Sequence, residues 1–420
     1  MRFAVDWMPG IPAATPEERA TAGELQIYVS ESNSCLHTRD GVLEEAILLP
    51  LVHIAEGLAQ DWWSIFGGRD RSLSLISYRR GNVVPDLRMA FDGSIFETRA
   101  YQYQYRNPRI GFWGSDTETL TRDQAESSLS NFIDQVVAQL NDASIQDSSV
   151  QLRWSRISNS RLDPEESAFC EAAGALGVDP YQIDEDTTQN IEQSSELFAG
   201  EPLYEFLAGV QRLHIPSAIS WVGNAEKRPG YKSRLNDLNA IAMGAEAEAP
   251  PVAGEKPWAL GYRRARAVRK VVAIDETFRI SGVQYLARQF GASPNYSLAP
   301  KTNGLRALRS YDDKGEAHVH LKDHGKSPAS KGAELFALAR AIGDACCYPA
   351  AQRAAVNELY LASRQAAGRA FAAEFLAPLN EIESMSRDGA DISTIAGEFG
   401  VAPVVVEHQL ENRLRIREVA

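Results

Sequence analysis

The chain has 420 residues, 44% of them hydrophobic and 24% charged, and this length favours two or three globular domains over a single core. Its formal net charge of −13 disfavours non-specific binding of the whole molecule to nucleic acid. No apolar run approaches the roughly 20 residues that a membrane-spanning helix needs, and Met1–Gly10 lacks the pattern of a secretory signal. Four cysteines without a C-x-x-C pair favour reduced thiols, so we expect a cytoplasmic protein that makes no contact with a membrane.

The patterns along the chain predict a multidomain α+β protein in three parts. Residues 1–156 alternate between helix-like and strand-like runs and predict an N-terminal α+β domain of no recognised family. Within it, Asp92-Gly93 separates two strand-like runs and indicates a hairpin turn. Apolar and polar residues alternate over 150–154, which predicts a further strand.

Residues 157–243 predict an acidic helical domain, in which Asp163 as N-cap and Pro164 after it predict the start of a helix. Twelve Asp or Glu residues and no Lys or Arg lie between Asp163 and Glu205, so this segment nearly accounts for the net charge. A solvated acidic face is the favoured interpretation, and a docking surface for a basic partner is the alternative. Alanine, glycine and proline then dominate residues 244–257, which predicts a linker and a domain boundary.

The last third of the chain carries two segments with a shared resemblance. Residues 336–344 read F-A-L-A-R-A-I-G-D within a predicted helix over Lys331–Cys347, and residues 371–378 read F-A-A-E-F-L-A-P within one over Gln352–Ala377. They resemble the H-E-x-x-H helix and the segment after the third zinc ligand in the ImmA/IrrE family of zinc-dependent endopeptidases. The resemblance covers residues 256–420 and implies a zincin-like domain ending in a helix-turn-helix-like pair.

The residues that would perform the chemistry of that family are replaced. Zinc-dependent hydrolysis needs two histidines four residues apart on one helix face, with a glutamate between them as general base. On the alignment the histidines become Arg340 and Asp344, the base becomes Ala341, and the third ligand becomes Gln365. Arginine does not ligate zinc and alanine accepts no proton. The resemblance thus implies a pseudo-peptidase without catalytic residues, metal or cofactor.

Arg340 and Asp344 are themselves four residues apart on the predicted helix. An intrahelical ion pair would replace the metal as an internal tie. The alternative is that both side chains face solvent, and the sequence leaves the two open.

Three of the seven histidines lie close together, at His318, His320 and His324. The first two share one face of a predicted strand, a half-site that a metal ion would accept. No cysteine lies nearby, and exposed histidines without a ligand are the favoured interpretation.

Two other segments indicate binding surfaces. Residues 391–417 fit a helix-turn-helix with Gly400 in the turn, but the second helix carries few residues that read DNA, so packing or protein contact is favoured. Tyr262–Lys270 places several basic residues on one helix face, for which a solvated face is the default and contact with phosphate or with the acidic segment is the alternative.

Three functional hypotheses follow from these patterns. The favoured one is a non-catalytic regulatory protein that binds a protein partner; the resemblance associates it with mobile-element regulation or phage defence. The second is a DNA-binding regulator that uses residues 391–417. The third is a hydrolase with a relocated site, either in the N-terminal domain or around a metal held by His318, His320 and His324.

Overall fold

The fold was analysed in a computed structural model that describes residues 1–8, 13–106, 109–227, 233–252, 254–293 and 296–418. The predicted mixed α+β class is confirmed, with 50% of residues in helices, 17% in strands and four antiparallel sheets. The contacts within the chain divide it into two compact units, Met1–Glu185 and Asp186–Ala420. The boundaries predicted after residue 156 and at 244–257 differ from this division and stay predictions.

Three four-stranded antiparallel sheets occur in the first unit, in the orders β1-β2-β3 with β6 beside β2, β10-β11-β4-β5, and β12-β9-β8-β7. The strands are β1 Arg2–Trp7, β2 Ala22–Val29, β3 Ser32–Asn33, β4 His37–Arg39, β5 Val42–Glu44, β6 Ile47–Pro50, β7 Leu73–Ser74, β8 Asp86–Phe91, β9 Phe96–Tyr101, β10 Tyr103–Tyr105, β11 Ile110–Phe112 and β12 Asp116–Leu120. The hairpin predicted at Asp92-Gly93 joins β8 to β9, and is confirmed.

Six helices pack with these sheets around an apolar core: α1 Pro16–Ala20, α2 Val52–Gln60, α3 Trp62–Gly67, α4 Arg122–Asp142, α5 Ser149–Ser160 and α6 Pro164–Leu176. The sequence signals at the start of α6 act as expected, because the Asp163 carboxylate accepts hydrogen bonds from the backbone N–H groups of Glu165 and Glu166. A 3₁₀ helix spans Leu75–Tyr78.

The strand predicted at 150–154 is wrong, since these residues lie in α5. Val150, Trp154 and Ile157 are buried there, at spacings of four and three residues that place them on one face of a helix. The short alternating pattern therefore belonged to a longer helical one.

The acidic segment is not uniformly solvated. Glu171 on α6 is buried and accepts a hydrogen bond of 3.0 Å from Nη1 of Arg122 on α4. Its carboxylate ties two helices together, so the solvated-face interpretation is wrong for this residue.

The second unit contains one four-stranded sheet, in the order β13-β15-β14-β16, and mainly helices otherwise. The elements are α7 Glu185–Ser195, α8 Glu201–Gly209, a 3₁₀ helix Arg212–His214, α9 Ile215–Lys227, β13 Arg234–Leu235, α10 Leu238–Glu248, α11 Pro257–Val271, α12 Val283–Gln289, β14 Ala307–Tyr311, β15 Ala317–Leu321, α13 Pro328–Cys347, β16 Arg353–Val356, α14 Ser363–Leu376, α15 Leu379–Arg387, α16 Ile392–Phe399, α17 Pro403–Glu411 and α18 Arg413–Glu418.

The core of this unit is continuous from α10 to α17. Helix α10 extends through Gly244 to Glu248, into the predicted linker, and buries Leu238, Ile241 and Ala245 in the same core as α13 and α14. The burial of apolar residues on one face of α10 therefore keeps the chain helical into the segment whose composition predicted a linker. The helix predicted over Gln352–Ala377 is also wrong at its start, where β16 forms.

All four cysteines are buried. Each is a free thiol and forms no disulfide, as the spacing predicted. Within the described ranges of the chain, no helix is long and apolar enough to cross a membrane.

Candidate functional site

The positions that the resemblance aligns with zinc ligands lie between α13 and α14. The two helices approach closely at Gly343, where a Cβ atom would lie 2.6 Å from the ring of Phe371. Because a side chain at that position would push α14 away, glycine allows the facing residues of the two helices to meet. Arg340, Asp344 and Gln365 all lie in this interface and are buried.

Arg340 contacts the residue at the third ligand position. Its Nη2 atom donates to Oε1 of Gln365 at 2.9 Å and also to the backbone carbonyl of Asn357. The fold thus brings into contact two side chains that are 25 residues apart in sequence.

Asp344 pairs with two other arginines. Its Oδ2 atom accepts from Nε of Arg309 at 2.7 Å, and its Oδ1 atom accepts from Nη2 of Arg364 at 2.6 Å. Both interpretations of Arg340 and Asp344 are therefore wrong: they form no intrahelical pair, and neither faces solvent. Arginines from β14 and α14 reach the carboxylate and occupy both of its oxygens.

Gln365 uses its whole amide group. The Oε1 atom accepts from Arg340 and, at 3.1 Å, from the backbone N–H of Asn357. The Nε2 atom donates to Oε2 of Glu205 at 2.8 Å and to the carbonyl of Ala355 at 2.9 Å. A buried amide with all four bonds made is held in one orientation.

Glu205 reaches this interface from α8. It is almost fully buried, and Nε of Arg364 lies 3.8 Å from its Oε2 atom. Asn357 donates from Nδ2 to the backbone carbonyl of Glu205 at 2.9 Å. This bond fixes α8 against the segment after β16. Burial raises the pKa of Glu205 to about 8, and the Arg364 guanidinium partly opposes that rise.

These contacts define the buried polar network. Its members are Glu205, Arg309, Arg340, Asp344, Asn357, Arg364 and Gln365, each of them buried. Burial, followed by repulsion from Arg369, lowers the pKa of Arg340 to about 10, so its guanidinium stays cationic near neutral pH. A cation in this position repels a divalent metal, and the methyl group of Ala341, buried in the same helix, has no proton to exchange.

The three clustered histidines separate in the structure. His318 and His320 lie on the same face of β15 as predicted, with parallel rings 6.2 Å apart. Strand β15 pairs with β13 and β14 on its two sides, however, and His320 is buried, so the expected exposure is wrong for that residue. Among the described residues no three His, Cys, Asp or Glu side chains are grouped as metal ligands.

His324 lies beyond the end of β15, with its Nδ1 atom 3.4 Å from Nη1 of Arg306. Burial, and then the charges of Lys322 and Arg306, lower the pKa of His324. Burial and the two neighbouring cations therefore disfavour the protonated imidazole, while Glu334 and Asp323 act in the opposite direction.

The helix-turn-helix-like pair forms at α16 and α17, with Gly400 in the left-handed conformation between them. The second helix turns part of its polar surface inward: Gln409 is buried and donates to Oε2 of Glu374 on α14 at 3.2 Å. Glu407 and His408 remain exposed, and an exposed carboxylate repels phosphate. The side chains of Arg415 and Arg417 lie outside the described residues.

The basic helix face is used for packing. Arg264 and Arg269 on α11 are buried, and Nε of Arg266 donates to Oε1 of Glu374 at 2.8 Å. The predicted solvated face is confirmed at Lys270, which is exposed. It is wrong for Arg264, which is buried, and for Arg263 and Arg266, which pair with Glu255 and Glu374. Burial lowers the pKa of Arg269, whose guanidinium donates to backbone carbonyls such as that of Phe375.

Sequence reasoning missed four members of the network: Glu205, Arg309, Asn357 and Arg364. A usable signal was present for two of them. Glu205 interrupts the apolar run of α8 between Tyr204 and Phe206, and Arg309 lies inside a buried strand. Charged residues within apolar segments are buried only when paired, so each indicated a partner without naming it.

Comparisons with family models, with curated proteins and with solved structures find no significant match to this chain. The resemblance of residues 256–420 to a peptidase family therefore depends on the two quoted segments.

Proposed function

We propose that the chain is a non-catalytic regulatory protein that binds a protein partner, and that residues 256–420 are an inactivated zincin-like domain of the ImmA/IrrE type. The observation that carries the proposal is the meeting of Arg340 with Gln365, with Asp344 one helical turn away. Three positions chosen by alignment to metal ligands share one buried interface, where Arg340 bonds to Gln365 and Asp344 bonds to Arg309 and Arg364.

The network supports a stabilising role for Arg340, Asp344 and Gln365, which occupy the positions aligned with zinc ligands. Buried charges are costly unless hydrogen-bonded and paired, and here two carboxyl groups lie among three guanidinium groups. Glu205 also holds α8 against α14, through its hydrogen bond from Gln365. We infer that the scaffold is retained to present surfaces to a partner; mobile-element regulation or phage defence is the setting that the resemblance suggests.

Rebuilding the metal site tests the proposed scaffold. The variant Arg340→His/Ala341→Glu/Asp344→His/Gln365→Glu restores the family pattern at the four aligned positions. We expect it to bind about one zinc ion per chain, measured by elemental analysis, and to melt at a higher temperature when zinc is added. A matched control omits the change at Gln365 and should bind zinc more weakly.

Two outcomes contradict the proposal. A rebuilt variant that folds, by circular dichroism, yet takes up no zinc would refute the zincin-like arrangement. Stoichiometric zinc in the purified wild-type protein, together with proteolysis that a chelator abolishes, would refute the loss of catalysis.

A further inference from the structure

Four basic side chains form a surface cluster near the ends of β14 and β15, which we name the basic patch: Lys301, Arg306, Lys322 and Arg369. Lys322 donates from Nζ to the carbonyl of Thr302 at 2.9 Å, and its backbone N–H bonds to the carbonyl of Arg306 at 3.2 Å. Burial, followed by the charge of Arg306, lowers the pKa of Lys322. The cations are therefore close enough to repel one another.

Few acidic groups balance the basic patch. Glu358 is half exposed and accepts from Nε of Arg306 at 2.7 Å, while Nη1 of Arg340 lies 3.7 Å away from the same carboxylate oxygen. Of the other nearby carboxylates, Glu334 is buried and bonds to Lys331, and Asp323 accepts from a backbone N–H. Among the described residues named here, the four cations of the basic patch and Lys331 outnumber the carboxylates of Glu358, Glu334 and Asp323, which leaves a local excess of positive charge in a chain whose net charge is −13.

A cavity of about 510 Å³ adjoins the basic patch. Trp221 and Asn224 on α9 form one wall, and residues 300–303, including Lys301, form the other. The indole Nε1 of Trp221 donates to the carbonyl of Pro300 at 2.8 Å, which fixes the ring in place. Such a rigid aromatic wall beside polar groups suits one apolar side chain of a ligand.

Exposed apolar groups extend the surface on the side of Arg369. Tyr360 is 65% and Leu361 43% exposed in the segment between β16 and α14. The Arg369 guanidinium lies over the Tyr360 ring, 4.9 Å from its centroid, and donates to the Tyr360 carbonyl at 2.6 Å. An arginine stacked on an exposed tyrosine is a typical composition for a protein-binding surface.

We propose that the basic patch and the adjoining cavity bind an acidic segment of a partner protein, with one of its apolar side chains inserted beside Trp221. This inference depends on the proposed function and specifies the chemistry of the partner. A nucleic acid extends beyond the patch and is repelled by the rest of the acidic chain, whereas a short peptide meets mainly the local field, because screening limits repulsion to about 8 Å at physiological salt.

A labelled peptide of about a dozen residues, rich in Glu and carrying one Phe, tests the proposal by fluorescence anisotropy. We expect saturable binding to the full chain that weakens as salt is added. The variant Lys301→Glu/Arg306→Gln should bind about tenfold more weakly. Lys314→Glu is the matched control: it lies in the turn at the opposite end of the β14–β15 hairpin and should change the affinity less than about twofold.

Several outcomes overturn the inference. These are the absence of salt-dependent binding by the wild type, an equal loss of affinity in the Lys314→Glu control, and displacement of the peptide more strongly by a single-stranded oligonucleotide of equal charge than by unlabelled peptide. A peptide without Phe that binds equally well would remove the cavity from the proposal.

The two proposals fail separately. The loss of catalysis is tested on the same preparation by two measurements. These are the zinc content of the protein and the cleavage of the peptide, which mass spectrometry detects. An intact peptide that does not bind refutes the basic patch and leaves the pseudo-peptidase proposal standing.

Discussion

The buried polar network and the helix pair α16–α17 show two ways in which polar residues hold one unit together. In the helix pair some of the stabilising contacts are local, as when Asp391 accepts at 2.7 Å from the backbone N–H of Thr394, although Gln409 also bonds to Glu374 on α14. In the network the partners are remote, and Gln365 bonds to Glu205 across 160 residues of sequence. Local contacts follow from sequence patterns, whereas the remote ones depend on which elements the fold places side by side.

The largest effect that this comparison predicts is at the centre of the network. Asp344→Ala removes the carboxylate that both Arg309 and Arg364 contact, and leaves two buried cations without it. We expect a loss of about 3–5 kcal/mol of unfolding free energy, measured by denaturant unfolding followed through far-ultraviolet circular dichroism.

Asp313→Ala serves as the control for that measurement, because Asp313 is exposed in the β14–β15 turn. Its effect should stay within about 0.5 kcal/mol. A comparably small effect of Asp344→Ala would mean that the two arginines do not depend on this carboxylate, and the contrast between the two regions would disappear.

A smaller, pH-dependent effect is expected at Glu205. Since burial raises its pKa to about 8 from an ordinary value of 4.5, folding favours the protonated acid. The protonated Glu205 therefore adds to the unfolding free energy fully below pH 4.5, and this contribution is lost as the pH rises to about 8. Glu205→Gln removes the titration, so the wild type should lose unfolding free energy relative to the variant by up to about 1.4 kcal/mol per pH unit.

Unfolding free energies of both proteins between pH 4.5 and pH 8 would measure this difference. Glu192→Gln changes an exposed carboxylate on α7 in the same way and should leave its curve parallel to that of the wild type. Parallel curves for Glu205→Gln would show that Glu205 ionises in the folded protein as it does in the unfolded one.

The smallest effect is expected in the helix pair and depends on backbone conformation alone. Gly400 has a φ of 66°, in the left-handed region, where a Cβ atom is strained. Gly400→Ala should therefore cost about 1 kcal/mol. Gly397 lies inside α16, and a Cβ atom added there would meet no other atom within 4 Å. Gly397→Ala should therefore stabilise the fold by up to about 1 kcal/mol. Thermal melting of both variants gives the two signs, and equal signs would contradict the assignment of Gly400 to the turn.

Local signals in the sequence predicted much of the secondary structure in both units. The start of α6 at Asp163, the hairpin at Asp92-Gly93 and the turn at Gly400 each depend on a side chain or a φ angle within a few residues. The predictions failed where a short pattern suits two structures, as at 150–154. They failed again at β16, where helix-like composition yields to pairing with β14.

The sequence by itself determined that residues 340, 341, 344 and 365 are Arg, Ala, Asp and Gln, because identity at a position needs no structure. That these positions correspond to the ligands and the base of a zinc peptidase is our proposal. Only the tertiary structure decided what the replacements do. Arg340 and Asp344 are four residues apart, which made a mutual pair the simplest expectation, yet long side chains reach across packed elements. In a buried interface each charge bonds to whichever partners the fold brings within about 3 Å, and here those partners come from α8, β14 and α14.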